Sequence, residues 1–291
     1  MKIIKPSFEI IDEPDALKKI ELCGRVCYKS ENRITEDSAE TFVKNLIKRG
    51  HESVLEHAQI TILIDDVDAR KFREINDEIY NRFGWVNMLR MTHQNKRYII
   101  SGNVRMWRDF MRRVSPAVVF APLELLHGVL FDDVNKTPSI NTTTAEIITA
   151  EELQTNNEFD THATETVRFI VDRGISHEIV RHRTASFSQE STRYCNYAGD
   201  ITFIAPPFAC LEWVKAMEYA EKSYNTMINK GMTPQQARAV LPNSTKTELI
   251  MTTNVECWKH FFELRTAAAA HPQMKQIAEP LKAEFIERGI I

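Results

Sequence analysis

Apolar positions along the chain recur at two periods, one near two residues and one near 3.6, and these divide it into strands and helices. Residues 3–11 read as a short strand, and residues 14–28 as a helix turning Leu17, Ile20, Leu22 and Val26 inward. A second helix over 36–49 sets Phe42, Leu46 and Ile47 on one side, with Thr35 as its N-cap and Gly50 as its stop. The segment His51-Glu-Ser-Val-Leu-Glu-His57 then precedes a strand-like run over 58–64. Residues 162–171 alternate, with Thr164, Thr166, Arg168 and Ile170 opposite Ala163, Val167, Phe169 and Val171. They feed through Asp172-Arg173-Gly174 into a helix on which Ile175, Ile179 and Val180 recur, expected to end in Arg181-His182-Arg183. Residues 201–204 form a short strand before Pro206-Pro207, and 211–230 a long helix. Thr233 and Pro234 open a short helix that Pro242 stops. Thr252-Thr-Asn254 starts a helix over 255–268, with Cys257, Phe261 and Leu264 inward, and 272–291 is a last amphipathic helix. The expected class is α+β (mixed α/β), a central sheet flanked by helices.

The middle of the chain is less regular. Phe72, Ile75, Ile79 and Phe83 fall in helical register, Tyr98-Ile-Ile is strand-like, 104–113 reads as a helix, and an apolar helix is expected over 123–130. Residues 135–157 are rich in Thr and Asn and read as an exposed loop. Here Lys96, Arg97, Arg105, Arg108, Arg112 and Arg113 surround Tyr98 and Trp107, a mixture a nucleic-acid surface would use. The expected reading is an amphipathic helix with a basic outer face and Trp107 turned inward.

Composition narrows the classes. At 291 residues the chain can bury the core of one large domain, and its net charge of −3 gives no global attraction to nucleic acid or anionic membrane, so a basic site must be local. No run is long and apolar enough for a membrane span, and residues 1–30 lack the pattern of a signal peptide. The five cysteines include no Cys-x-x-Cys pair, so reduced thiols and a cytoplasmic setting are expected, without membrane or nucleic-acid partners. Cys23 and Cys27 lie four apart on one helix but lack two further ligands, which favours small buried apolar groups over a metal pair. The His51–His57 cluster has no metalloprotease spacing either, and no metal is expected.

The densest chemistry lies in 177–197. His177, Glu178 and Arg181 share a polar face, and Arg181, Arg183 and Arg193 bracket a glycine-free run carrying Thr184, Ser186, Ser188, Gln189, Ser191 and Thr192. Guanidinium groups near hydroxyls suit a nucleotide or a phosphate-bearing cofactor, while a solvated helix end, where cations are favoured, would look the same. Arg238 is the one charge of its short helix, and on spacing alone it would snorkel past its apolar neighbours.

The wording Arg181-His-Arg-Thr-Ala-Ser-Phe-Ser-Gln-Glu-Ser-Thr-Arg-Tyr194 resembles the signature of the flavin-dependent thymidylate synthases. Three further elements resemble that family in order: His-Glu-Ser at 51–53 with Glu56-His57, Ala237-Arg-x-x-Leu-Pro242, and Asn254-x-x-x-Trp258-x-His260-Phe-Phe-x-Leu-Arg265. The resemblance implies methylation of dUMP with methylenetetrahydrofolate, FAD and NADPH, in a homotetramer whose subunits share sites. It gives FAD to His51, Ser53, Arg181, His182, Arg183, Gln189, Asn254 and His260. It gives dUMP to Glu178, Arg181, Gln189, Glu190, Ser191, Thr192, Arg193 and Arg238, and activation of the uracil ring to Arg265. Against the family pattern, residues 67–160 are an insertion, Gln189 stands where Glu is frequent, and His260 where some members carry Asn. No Pro-Cys pair is present, which argues against an enzyme thiol as nucleophile. The alternative is a nucleotide- or RNA-binding protein without catalysis.

Overall fold

A computed structural model describes residues 1–64, 89–94, 97–113, 126, 128–134, 145–155 and 160–291. In chain order its first half holds β1 (Lys2–Ile4), β2 (Ser7–Ile10), α1 (Ala16–Cys27), α2 (Ser38–Lys48), β3 (Gln59–Ile64), β4 (Leu89–Gln94), β5 (Arg97–Asn103), α3 (Val104–Arg113), β6 (Ala145–Ile148) and α4 (Ala150–Thr155). The second half holds β7 (Thr164–Asp172), α5 (Arg173–Ile179), β8 (Ser186–Gln189), β9 (Thr202–Ile204), α6 (Leu211–Asn229), α7 (Pro234–Ala237), β10 (Lys246–Asn254), α8 (Val255–Arg265) and α9 (Pro272–Glu287). This is an α+β chain, and it divides into two compact units.

The first unit takes in Met1–Asp12, Leu22–Arg33 and Glu165–Ile291. Its main sheet runs β2-β7-β10-β8, with β2 antiparallel to β7 and β8 antiparallel to β10. β1 pairs separately, parallel to β9. The stretch expected as one strand over 3–11 is therefore two, and the break falls at Pro6, which has no N–H to give to a ladder. Strand β10 was not evident in the residue pattern. Its residues from Thr247 to Thr253 are buried without interruption, so they carry no alternation. One core joins Val167, Phe169 and Val171 of β7, Leu249 and Met251 of β10, Ile175 and Ile179 of α5, Trp258, Phe261 and Phe262 of α8, and Phe285 of α9. A smaller core under the 195–204 loop gathers Tyr197, Phe203, Met217, Tyr224 and Ala237.

The second unit takes in Glu13–Glu21 and Ile34–Thr164. Its sheet is antiparallel throughout, in the order β4-β5-β3-β6, so β3 is flanked by strands from the mid-chain stretch. Helix α2 starts at Asp37 rather than at a Thr35 cap, because the Thr35 N–H donates to Ser38 Oγ while that hydroxyl donates to Glu21 Oε2 at 2.8 Å. It buries Ala39, Val43 and Leu46, and ends before Gly50 at φ 70°.

The expected helix through Phe72 and Phe83 lies outside the described residues. That over 123–130 does so in part, and residues 128–134 form turns, with Gly128 at φ 76° breaking any helix there. The loop expected over 135–157 contains β6 and α4 where it is described. Thr149 and Glu152 cap α4 reciprocally: the Thr149 N–H and hydroxyl donate to the Glu152 carboxylate, and the Glu152 N–H donates to Thr149 Oγ1. Among the described residues no helix is long and apolar enough to cross a membrane.

Candidate active site

Helix α5 begins at Asp172, whose Oδ1 accepts the Ile175 N–H at 2.9 Å. It buries Ile175, Ser176 and Ile179, which leaves Glu178 half-buried. The helix closes at Ile179, earlier than expected. Arg181 N–H returns to the Glu178 carbonyl and His182 N–H to that of Ile179, three-residue bonds that tighten the chain into a turn. The Arg181-His-Arg183 triplet thus occupies that turn, with both arginines exposed and His182 folded inward, its ring centroid 4.9 Å from that of Phe261.

The partner of this turn is the end of α8. Asn254 caps that helix, its Oδ1 accepting the Cys257 N–H at 2.8 Å. The buried face is Trp258, Phe261 and Phe262, while Leu264, expected inward, is 49% exposed and Cys257 is only half-buried. Burying the bulkier aromatic rings sets the rotation of the helix, and Leu264 follows it outward. Arg265, one residue on, donates from Nη1 to Glu178 Oε2 at 2.9 Å, from Nη2 to the Glu178 carbonyl at 2.7 Å, and from Nε to His182 Nε2 at 3.0 Å. These bonds engage three of the five N–H groups a guanidinium carries. Burial first, then the charge of Arg265 and His260, pushes the His182 pKa down to about 4. His260 is exposed, 6.3 Å from His182 between ring centroids.

The run after the turn enters the sheet as β8. The Gln189 amide donates to Ser176 Oγ at 2.9 Å and Thr247 Oγ1 at 3.2 Å. Beyond it, Ser191 Oγ accepts the Arg193 N–H at 3.3 Å, and buried Thr192 accepts from Arg238 Nη1 at 3.4 Å. Arg193 in turn donates from Nε to Gln235 Oε1 at 3.2 Å. Two exposed arginines distant in sequence thus hold the same turn and short helix together. The Thr233–Gln236 capping box sets the start of α7 and so presents Arg238.

Glu190 is placed differently. Its carboxylate is fully buried and accepts from the Tyr197 hydroxyl at 2.7 Å, Lys246 Nζ at 3.1 Å and the Glu248 N–H at 3.2 Å. Lys246 and Arg168 both pair with Glu248, and Arg168 also reaches Glu31 at 3.0 Å. Tyr197 is pushed up by burial and then by Glu190. This network supports the base of the signature loop. Residue spacing gave no sign of it, since Lys246 and Glu248 lie on the unrecognised strand β10.

His51 and Ser53 belong to the second unit and are exposed at the start of the 3-10 turn Glu52–His57. His57 is buried, which, with the charge of Lys19, pushes its pKa down to about 3. On α3, Trp107 is buried as expected, but Arg105, Arg108 and Arg112 of the expected basic outer face are engaged by acidic partners. Arg105 pairs with Glu56 at 2.6 Å, and Arg108, wholly buried, and Arg112 both pair with Glu52.

The family described as thymidylate synthase complementing protein matches residues 9–77 and 156–288. Those two stretches make up more than half of the chain and contain every element just described except α3. The chain belongs to this family. Among similar proteins, the flavin-dependent thymidylate synthase of Pyrococcus furiosus is 33% identical over 128 residues, 41% of this chain and 52% of that protein. That of Geobacter sulfurreducens is 34% identical over 115 residues, 37% of this chain and 50% of that protein. The chain thus spans about half the length of these relatives. A crystal structure of a UMP/dUMP methylase from Streptomyces cacaoi bound with 5-Br dUMP covers 99% of this chain and 93% of that one at 16% identity and a TM-score of 0.41, too distant to argue from. In thymidylate synthase complementing family terms, Glu178, His182, Arg265 and the 189–193 turn all fall in the second matched stretch, and His51 and Ser53 in the first. Residues 78–155 fall between them and carry β4, β5, α3, β6 and α4.

Proposed function

We propose that this chain methylates C5 of dUMP reductively to give dTMP, taking the carbon from methylenetetrahydrofolate and electrons from NADPH through FAD. The observation that carries this reading is Arg265 held against Glu178 and His182 beside a turn bearing Arg181 and Arg183, with Arg193 and Arg238 converging on a second turn. Exposed guanidiniums fork onto phosphate oxygens, so the donor set fits a dinucleotide at 181–183 and a nucleotide phosphate at 193 and 238. FAD, when bound, supplies the reducing equivalents for the one-carbon unit.

The chain's own residues bind, orient and stabilise charge. C5 of uracil is a weak nucleophile unless negative charge develops on the ring. The two N–H groups of Arg265 left over from Glu178 and His182 can stabilise that charge at the carbonyl beside N3. Glu178 fixes the guanidinium, and neutral His182 accepts from its Nε. Arg193 and Arg238 take the phosphate, Ser191 and Thr192 shape the turn, and Gln189 offers its carbonyl while its amide is held by Ser176 and Thr247. Arg181 and Arg183 hold FAD, with Asn254 at the cap of α8 and His260 in its second turn. His51 and Ser53 are assigned to flavin and folate by the resemblance alone, as is the homotetramer, while the cytoplasmic setting rests on the cysteine pattern. Glu190 acts from beneath, holding the turn through Lys246 and Tyr197. The proposed reaction uses no enzyme thiol as nucleophile; of the cysteines, Cys27 is raised by burial and Cys195 is pushed up to about 11 by burial and then by Glu190, which disfavours the thiolate at both. The RNA-binding alternative is weakened by α3, whose Arg105 pairs with Glu56 and whose Arg108 and Arg112 pair with Glu52.

Purified protein should be yellow with bound FAD, or turn yellow when FAD is added, and the FAD-loaded protein should form dTMP only when dUMP, methylenetetrahydrofolate and NADPH are all supplied. Colourless protein that takes up no added FAD, with no dTMP formed, overturns the proposal.

A further inference from the structure

We infer that the arginine face of α3 is a positioning device for residues 51–53: Arg108 and Arg112 fix Glu52, and through it the backbone that presents His51 and Ser53. The inference deepens the proposed function and rests on its assignment of those two residues.

Arg105, Arg108 and Arg112 are spaced three and four apart and so lie along one face of α3. Arg112 forks onto both carboxylate oxygens of Glu52, at 2.8 Å and 2.5 Å. Arg108 adds a bond from Nη2 to Glu52 Oε1 at 3.1 Å, forks onto Asp133 at 2.7 Å from each Nη, and donates from Nη1 to the Leu130 carbonyl. Arg105 meets Glu56 at 2.6 Å, one helical step further along the same 3-10 turn. Two guanidiniums therefore give three charge-assisted bonds to one carboxylate, the bidentate pairing that restricts orientation most. The Glu52 carboxyl is held below its usual range, by Arg112 first.

The position of Glu52 makes this arrangement more than packing. A 3-10 turn is weakly held by its own hydrogen bonds. Val54 and Leu55 anchor one side of this turn in the core, but His51 and Ser53 are both exposed, and Glu52 between them is the side chain that ties that end down. Arg108 has no exposure, so its charge depends on Glu52 and Asp133 for compensation. Removing the Glu52 carboxylate would release the turn from α3 and leave Arg108 with Asp133 as its acidic partner. The clamp comes from residues 78–155, between the two family-matched stretches, so the chain supplies its own support for a segment that the family match includes.

The experiment uses the full chain with Arg112→Gln, Arg112→Lys and Glu52→Gln, all at the partly exposed edge of the cluster. Amide hydrogen exchange of 51–57 is read against that of strand β10, alongside FAD titration and KM for methylenetetrahydrofolate. Arg112→Gln should speed exchange in 51–57, leave β10 unchanged, and weaken FAD or folate affinity on the order of tenfold. Arg112→Lys should recover part of both, since it keeps the charge and loses the fork. Unchanged exchange in 51–57 overturns the inference, as does faster exchange there with ligand affinities intact, or an equal rise in β10. If the unaltered chain takes up no FAD, the functional reading falls on its own, and the exchange measurement still decides whether Arg112 fixes the turn.

Discussion

Arg265 donates through Nε to Nε2 of His182 at 3.0 Å, which makes that nitrogen an acceptor and leaves the imidazole neutral with its proton on Nδ1. The pKa of His182, pushed down to about 4 by burial and then by Arg265, agrees with that assignment. Arg265→Ala should therefore lower kcat for dTMP formation by roughly 10²–10³-fold while FAD stays bound, because it removes charge stabilisation from the reacting ring. Full turnover in this variant would refute the role. Glu178→Gln keeps the backbone bond to Arg265 and loses the ion pair, so it should raise KM for dUMP more than it lowers kcat.

Arg193 and Arg238 hold each other's elements, Arg193 through Gln235 and Arg238 through Thr192. Replacing either by Gln should raise KM for dUMP by about 10-fold, the scale of one charge-assisted hydrogen bond. The double variant should fall short of the product of the two effects, since the first loss already loosens the turn. Steady-state kinetics on the single and double variants checks this. Deoxyuridine, which lacks the phosphate, should show no difference between them, and a difference there would remove the phosphate from the argument.

What could be read from the residues was what the chain specifies locally. Thr233-Pro234 before a short helix and Gly50 after an amphipathic run each state their own turn, and both formed as expected, while the Asp172 cap on the Ile175 N–H lay unread in the link before α5. The α+β class followed from the mixture of periods. Strand β10 escaped because burial of its Leu249-Ile-Met251 stretch on both faces erases alternation, and with it went the Glu190–Lys246–Glu248 network. The basic cluster on α3 looked like an outer face because arginine spacing says nothing of where glutamates 50 to 60 residues away will lie. Likewise nothing local brings Arg265 to Glu178. That contact arises from α5 and α8 burying their apolar faces in the same core.

Stability should fall as pH drops below the ordinary histidine value of 6.5, because His57, His162 and His182 are held neutral with values near 3, 4 and 4. With a depressed folded-state pKa, the unfolded chain takes up protons first, so the stabilising contribution is complete above 6.5 and is lost as pH falls toward the folded values. His162 is the cleanest probe. Its ring nitrogens sit 2.7 Å from the Thr92 and Ser101 hydroxyls, and burial, then Arg90, lowers its pKa. Thermal melts between pH 7.5 and 5 should show a falling Tm, with a smaller slope in His162→Gln. An unchanged slope in that variant would show that the proton uptake lies elsewhere.

Gly174 is required by the cap of α5 rather than by its dihedral angles. A Cβ there would lie 2.9 Å from Asp172 Oδ1, the same oxygen that accepts the Ile175 N–H at 2.9 Å. Asp172 is also held from its other oxygen by Gln273 Nε2 at 2.9 Å, so the carboxylate cannot simply swing aside. Gly174→Ala must then displace either the cap or the first turn of the helix, at a cost of about 1–3 kcal/mol. Asp172→Ala removes the cap and should cost about 1–2 kcal/mol. The two together should cost less than their sum, because each disrupts the same contact. Denaturant titration measures all three, and additive losses would separate Gly174 from the cap. Because α5 carries Glu178 as its last residue but one, Gly174→Ala should also raise KM for dUMP at temperatures where the protein remains fully folded. A variant that loses stability but keeps its KM would confine Gly174 to folding and leave Glu178 positioned by Arg265 alone.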